Sequence, residues 1–213
     1  MFQWRRVQIT DTLQTGRATR LFVMNQTDLT VAEGDMNSGF TQSGPRSGLR
    51  LELLLTRYKA WADDLTYEMV AGQSREELLK VRPTTFRTIS HTLHHTYIVD
   101  DIFRAHIEGV DHGYTARTAE TPPPMQDLRE SVRALNRWWI ELAADTSQEQ
   151  LSQPIDFKFL DGEQAVMTGQ EMILHVVQHA TYHRGYVDDM MYQIPVIPPA
   201  TDLPVFLRHH RST

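Results

Sequence analysis

From residue 47 onward the apolar positions recur at steps of three and four, the spacing that lines one face of an α-helix. Leu51, Leu54, Leu55, Tyr58, Trp61, Ala62 and Leu65 form the first stripe, which ends at Gly72. A short helix over Ser74 to Lys80 follows, opened by a capping box of Ser74 with Glu77 and closed before Pro83. The second long helix is predicted over Thr85 to Glu108, with Ile98, Ile102 and Ala105 on its inner face and Gly109 placed to end it. Asp111 to Pro124 reads as an extended crossover, long enough to free the third helix from an antiparallel position beside the second. That third helix runs from Met125 to Ala144 on a stripe of Leu128, Val132, Leu135, Trp139 and Leu142. After a turn near Ser147 to Leu151, Asp161 and Gly162 separate two short segments rich in Phe, Leu and Val, the pattern of a small β-hairpin. Thr168 with Glu171 then caps a fourth long helix that reaches about Gln193, before Pro195. The predicted architecture is all-α: a four-helix bundle with a long crossover between its second and third helices and a hairpin before the last.

Residues 1–46 do not share this periodicity. Thr, Gln, Asn, Asp and Gly dominate, and the apolar patches Val7 to Ile9 and Leu21 to Met24 are too short to build a core. This polar extension is either an ordered arm packed on the 47–213 domain or the product of an over-extended translation start, with Met24 or Met36 as the true one. No apolar run approaches the roughly 20 residues of a membrane span or the core of a signal peptide, so a cytoplasmic protein is expected.

Lys plus Arg total 21 against 27 for Asp plus Glu, a formal charge of −6 that argues against nucleic-acid binding. There is no cysteine, which excludes disulfides, thiolate zinc sites, iron–sulfur clusters and a cysteine nucleophile. What stands out is the placing of the 10 histidines. His175, His179 and His183 recur every fourth residue on the last helix, and residues four apart share a helix face. Two imidazoles at that spacing can close on one ion, and a third would come from a facing helix, where His91, His94 and His95 stand. Hydrogen-bonded or solvated imidazoles would give the same spacing. There is no His-Glu-x-x-His and no Glu-x-x-His, so neither the common zinc-protease motif nor the di-iron carboxylate bundle applies. P-loop, Gly-x-Ser-x-Gly and dinucleotide fingerprints are absent too.

The string His175-Val-Val-Gln-His179-Ala-Thr-Tyr-His183-Arg-Gly resembles the last helix of the DinB family of metalloenzymes, also called DinB/YfiT or DfsB. Thr92-Leu-His-His95-Thr-Tyr-Ile-Val-Asp100 resembles its second helix, Arg57-Tyr-Lys-Ala-Trp61-Ala its first, and Pro199 to Leu207 its tail. The likeness spans about Leu49 to Leu207 and implies one divalent metal on three histidines, which fall here on His95, His179 and His183. It implies further a homodimer and chemistry of two kinds, hydrolysis or transfer to a low-molecular-weight thiol.

Around that set, His91 shares a face with His95 and competes for the third position, while His94 points about 100° away. His175 is read as capping the bundle end or hydrogen-bonding nearby rather than as a ligand. Asp100 is either a carboxylate orienting an imidazole or a surface ion pair. Tyr58 and Trp61 belong to the core stripe, which in the family's layout passes beside the metal pocket. Of the adjacent Trp138 and Trp139, one is expected in the core and the other at a dimer contact, and His209 and His210 in a solvated tail. Three neutral imidazoles leave a divalent ion its charge and an open position, suited to activating water or a thiol; the alternative is a non-catalytic, stress-response bundle in which the ion staples two helices and His91 or His175 closes its shell. Zinc and nickel are the foremost ions, with iron, manganese and copper also compatible.

Overall fold

The computed structural model describes residues 50–210; the reading of residues 1–46 lies outside them. Four long helices, α1 (Leu51–Ala71), α3 (Ile89–Glu108), α4 (Met125–Asp145) and α6 (Gly169–Tyr192), close a ring in which α1 lies against α4 and α6, and α3 against the same two. Shorter elements decorate it: α2 (Arg75–Leu79), α5 (Gln148–Leu151), the antiparallel pair β1 (Pro154–Lys158) and β2 (Gln164–Thr168), and α7 (Leu203–His210). The fold is the predicted four-helix bundle with its crossover and hairpin. No helix among the described residues is long and apolar enough to cross a membrane.

The helix ends follow local chemistry. Thr168 and Glu171 form a reciprocal capping box at the start of α6, and Ser147 with Gln150 forms another at α5. At α2 only half of the expected box exists: Ser74 accepts from the Glu77 amide, but the Glu77 carboxylate turns to the buried Arg82 guanidinium. α3 begins at Ile89 rather than Thr85, because the Thr88 hydroxyl accepts the His91 amide and makes Thr88 the cap. In the hairpin, Gly162 takes φ 91°, a left-handed conformation that favours glycine, in the turn between Phe159 and Glu163.

The α4 stripe packs inward as expected, with Leu128 and Trp139 almost wholly enclosed and Trp138 half-buried, and Met172 and Val187 of α6 are equally enclosed. α1 differs. Leu51 is 62% exposed, Leu54, Leu55, Trp61 and Leu65 are half-buried, and the enclosed face carries Thr56, Lys59, Asp63 and Thr66 beside Tyr58, Ala62 and Val70. The predicted stripe is therefore rotated, for a physical reason: the bundle centre is polar here. The Lys59 ammonium, 2% exposed, donates to Asp100 Oδ2 at 2.6 Å, Asp63 Oδ2 at 2.9 Å and Asn136 Oδ1 at 2.8 Å. Arg184 of α6 reaches Asp63 Oδ1 at 3.3 Å and the Tyr58 hydroxyl at 3.2 Å. All four long helices thus share one buried, charge-balanced layer.

The displaced apolar positions of α1 serve the tail instead. Phe206 of α7 packs edge-on to Tyr58 at 5.9 Å and against Trp61 at 5.5 Å, while the Tyr58 hydroxyl donates to the Thr201 carbonyl. α7 is a docked helix held by the buried Phe206, on which His210 stacks at 4.4 Å, while Arg208, His209 and His210 are exposed as expected.

Replacing Lys59 by Met keeps the apolar stem, leaves the buried Asp100 without its cation and leaves Asp63 with Arg184 alone. The expected cost is about 3–5 kcal/mol of unfolding free energy, read as a lower urea midpoint; an unchanged midpoint contradicts the role assigned to the layer.

Candidate metal centre

α3 and α6 are neighbours, and their periodicities bring His95, His179 and His183 face to face. One ring nitrogen from each lies within 4.8 Å of the other two. His95 and His183 are buried and His179 is half-buried. The crossover orients the first of them: the Arg117 carbonyl accepts from His95 Nδ1 at 2.8 Å. That bond leaves Nε2 with its lone pair, and Nε2 stands 3.1 Å from His179 Nε2. Two imidazole nitrogens on a tetrahedral zinc ion, each at about 2.0–2.1 Å, would stand about 3.3 Å apart. The remaining Nδ1 atoms of His179 and His183 are buried without a hydrogen-bond partner. His95 Nε2 and His179 Nε2 stand within hydrogen-bond distance of each other, and an ion among the three rings would take up these converging nitrogens in place of that contact. The donor set therefore fits a divalent metal.

Protonation does not compete strongly for those lone pairs. Burial, reinforced by charge repulsion from His183 and His95, holds His179 down at about 2, and burial with His95 behind it holds His183 at about 4. Burial lowers His95 as well, against its bond to the Arg117 carbonyl.

The other residues singled out in the sequence stand elsewhere. His91 accepts from the Thr88 hydroxyl through Nδ1 at 2.7 Å and donates from Nε2 to the Glu120 carbonyl at 3.2 Å, so it anchors the crossover and does not turn to the other imidazoles. His94 stacks at 6.4 Å on Tyr97. His175 packs at 4.4 Å on Phe103 and at 5.6 Å on His179, flanking the three-histidine group without joining it. Asp100 lies neither on an imidazole nor at the surface: it is 2% exposed and paired with Lys59, and burial raises its carboxyl to about 7 although Lys59 opposes the shift. Its Oδ1 lacks a partner, and the residue borders a cavity of about 20 Å³, a volume that suits one water molecule. Tyr58 and Trp61 belong to the aromatic cluster beneath α7. Reading the sequence missed Lys59, Asp63, Asn136 and Arg184, the Arg117 carbonyl, and Phe86, whose ring stacks on His95 at 4.0 Å.

An all-helical bundle that turns three imidazoles from two facing helices onto one point defines a class of histidine-centred bundle proteins. The DinB family model matches residues 45–212, and the chain belongs to the DinB family. Protein DinB of Bacillus subtilis (strain 168) is 27% identical over 165 residues, covering 72% of this chain and 91% of its own. The crystal structure of a DinB-like protein from Bacillus cereus ATCC 10987 superimposes with a TM-score of 0.50 at 17% identity, over 68% of this chain and 91% of that one, a likeness of fold.

The depressed imidazoles have a signature in the metal-free protein. An unfolded histidine titrates near 6.5, so between the folded and unfolded values the unfolded chain binds protons that the native state does not. Stability is therefore full above about pH 6.5 and declines as the pH falls toward 4. Changing His179 and His183 together to Gln should reduce the slope of unfolding free energy against pH by up to about two protons between pH 4.5 and 6.5. The raised carboxyls act with opposite sign but are present in both proteins and cancel in the difference. An identical slope in variant and parent contradicts the assignment.

Proposed function

We propose that this protein is a metal-dependent enzyme in which His95, His179 and His183 hold one divalent ion for hydrolysis or for transfer to a low-molecular-weight thiol. The observation that carries the reading is the pair of Nε2 atoms facing each other at 3.1 Å, with the far nitrogen of His95 tied to a backbone carbonyl. Such a carbonyl fixes the tautomer and aims the ring, the support that metal-ligating histidines characteristically have. Zinc and nickel suit an all-imidazole donor set best, and iron, manganese and copper are compatible.

A divalent ion bound there supplies Lewis acidity, which lowers the pKa of water toward ~7 or favours the thiolate form of a thiol. The chain's own part is to keep three imidazoles neutral, hold them rigid between two packed helices, and limit solvent access. With no cysteine in the sequence, any thiol comes from the substrate. The alternative, a bundle stapled by metal without catalysis, requires a coordination shell closed by further protein ligands. His91 has both ring nitrogens engaged and His175 remains outside the group, so the described residues offer three converging donors and support an open position for substrate.

Elemental analysis of the purified protein should find about one divalent ion per chain, and none in the His179→Ala variant, whose far-ultraviolet circular dichroism stays that of the parent. Full occupancy in the variant, or no uptake by the parent after incubation with zinc, nickel or manganese, contradicts the reading.

A further inference from the structure

The segment between α2 and α3 carries no metal-ligating group, yet it reaches the three-histidine centre through one side chain. Phe86 lies with its ring centroid 4.0 Å from that of His95 and the planes 21° apart, and meets His183 edge-on at 5.3 Å. His95 is thereby held on two independent sides: the Arg117 carbonyl accepts the hydrogen bond from its Nδ1, and Phe86 covers one ring face. Rotation of the imidazole about its Cβ–Cγ bond would break both contacts.

The segment is built to keep Phe86 there. The Arg82 amide donates to the Arg87 carbonyl, the Arg87 amide to the Thr84 carbonyl and the Thr88 amide to the Phe86 carbonyl. Arg82 is itself 4% exposed, with its guanidinium on the Glu77 carboxylate and on the carbonyls of Glu77 and Lys80. Between these anchors Arg87 adopts φ 63°, the left-handed region that a non-glycine residue occupies only when its surroundings require it. This left-handed residue directly follows the ring that stacks on His95, so the turn that it belongs to fixes where Phe86 stands.

We infer that Phe86 is a positioning residue of the metal centre: it clamps the His95 ring in its ligating orientation and closes that side of the site, so that a bound ion exchanges slowly and substrate approaches from the other side. The inference rests on the metal reading above and adds to it a residue from outside the histidine set.

The test is the rate at which excess chelator strips zinc from the loaded full-length protein, followed by a chromogenic zinc indicator in a stopped-flow instrument. Phe86→Ala is expected to take up one ion per chain, as the parent does, and to release it at least about tenfold faster. Phe86→Tyr, which restores the flat ring, should release at the parental rate. If Phe86→Ala fails to fold, Phe86→Leu, which retains apolar bulk but not the stacking face, serves in its place and should release at least about threefold faster. The melting temperature of each metal-free variant separates clamping from general loosening, since a clamp alters release without a matching fall in the metal-free melting point. Equal release from parent and variants overturns the role of Phe86 while leaving the metal reading intact. Equal acceleration in the Tyr and Ala variants overturns it as well, because the ring then does not matter. A parent that takes up no zinc overturns both.

Discussion

The structure depends on one constraint, that charge placed at the centre of a four-helix bundle must be balanced and hydrogen-bonded where it stands. Lys59 meets it with all three of its ammonium protons committed, to Asp63 on its own helix, Asp100 on α3 and Asn136 on α4. Arg184 of α6 closes the set on the second oxygen of Asp63. Each of the four long helices contributes a member, so the layer fixes their mutual rotation as well as their contact. An apolar layer tolerates small rotations, whereas a network of directional bonds holds far fewer arrangements.

That rotation decides what the neighbouring positions do. On α3 Thr96 lines the central cavity and His95 turns toward α6; on α6 Ala180 lines the same cavity and His179 turns toward α3. The imidazole centre is therefore the lateral neighbour of the ionic layer, and the positive charge of Lys59 is felt at His179, where it adds to the burial that keeps the ring neutral. Neutral imidazoles, partly shielded from water and crowded against each other, keep ring nitrogens free of protons for a metal ion. The crossover then supplies what helices cannot, a backbone carbonyl at the outer edge of His95.

Much of this was legible in the sequence. Capping chemistry located the start of α6, and the four-residue spacing of His179 and His183 announced a shared face, because both depend on local geometry alone. The choice among His91, His94 and His95 was not legible from spacing: it turns on where the carbonyls of Arg117 and Glu120 fall, in a segment without periodicity. The inner face of α1 was misjudged because a lysine normally marks a solvent-facing position, and here Lys59 is compensated by partners up to 77 residues away. Its one local signal was Asp63, four residues on and on the same face, with Ala62, Thr66 and Val70 around it. Arg208, His209 and His210, read as a solvated tail, are exposed, while Phe206 with the partly buried Leu203 and Leu207 docks the inner face of α7 on Tyr58 and Trp61, which the polar end of the tail did not announce.

The central claim is that His95, His179 and His183 together make one metal centre. X-ray absorption spectroscopy on the zinc-loaded protein addresses it most directly, because imidazole rings give outer-shell scattering that can be counted. Three imidazoles with zinc–nitrogen distances of about 2.0–2.1 Å, falling to two in the His95→Ala variant, is the predicted result. A shell dominated by carboxylate oxygen, or one that the His95 substitution leaves unchanged, would contradict it.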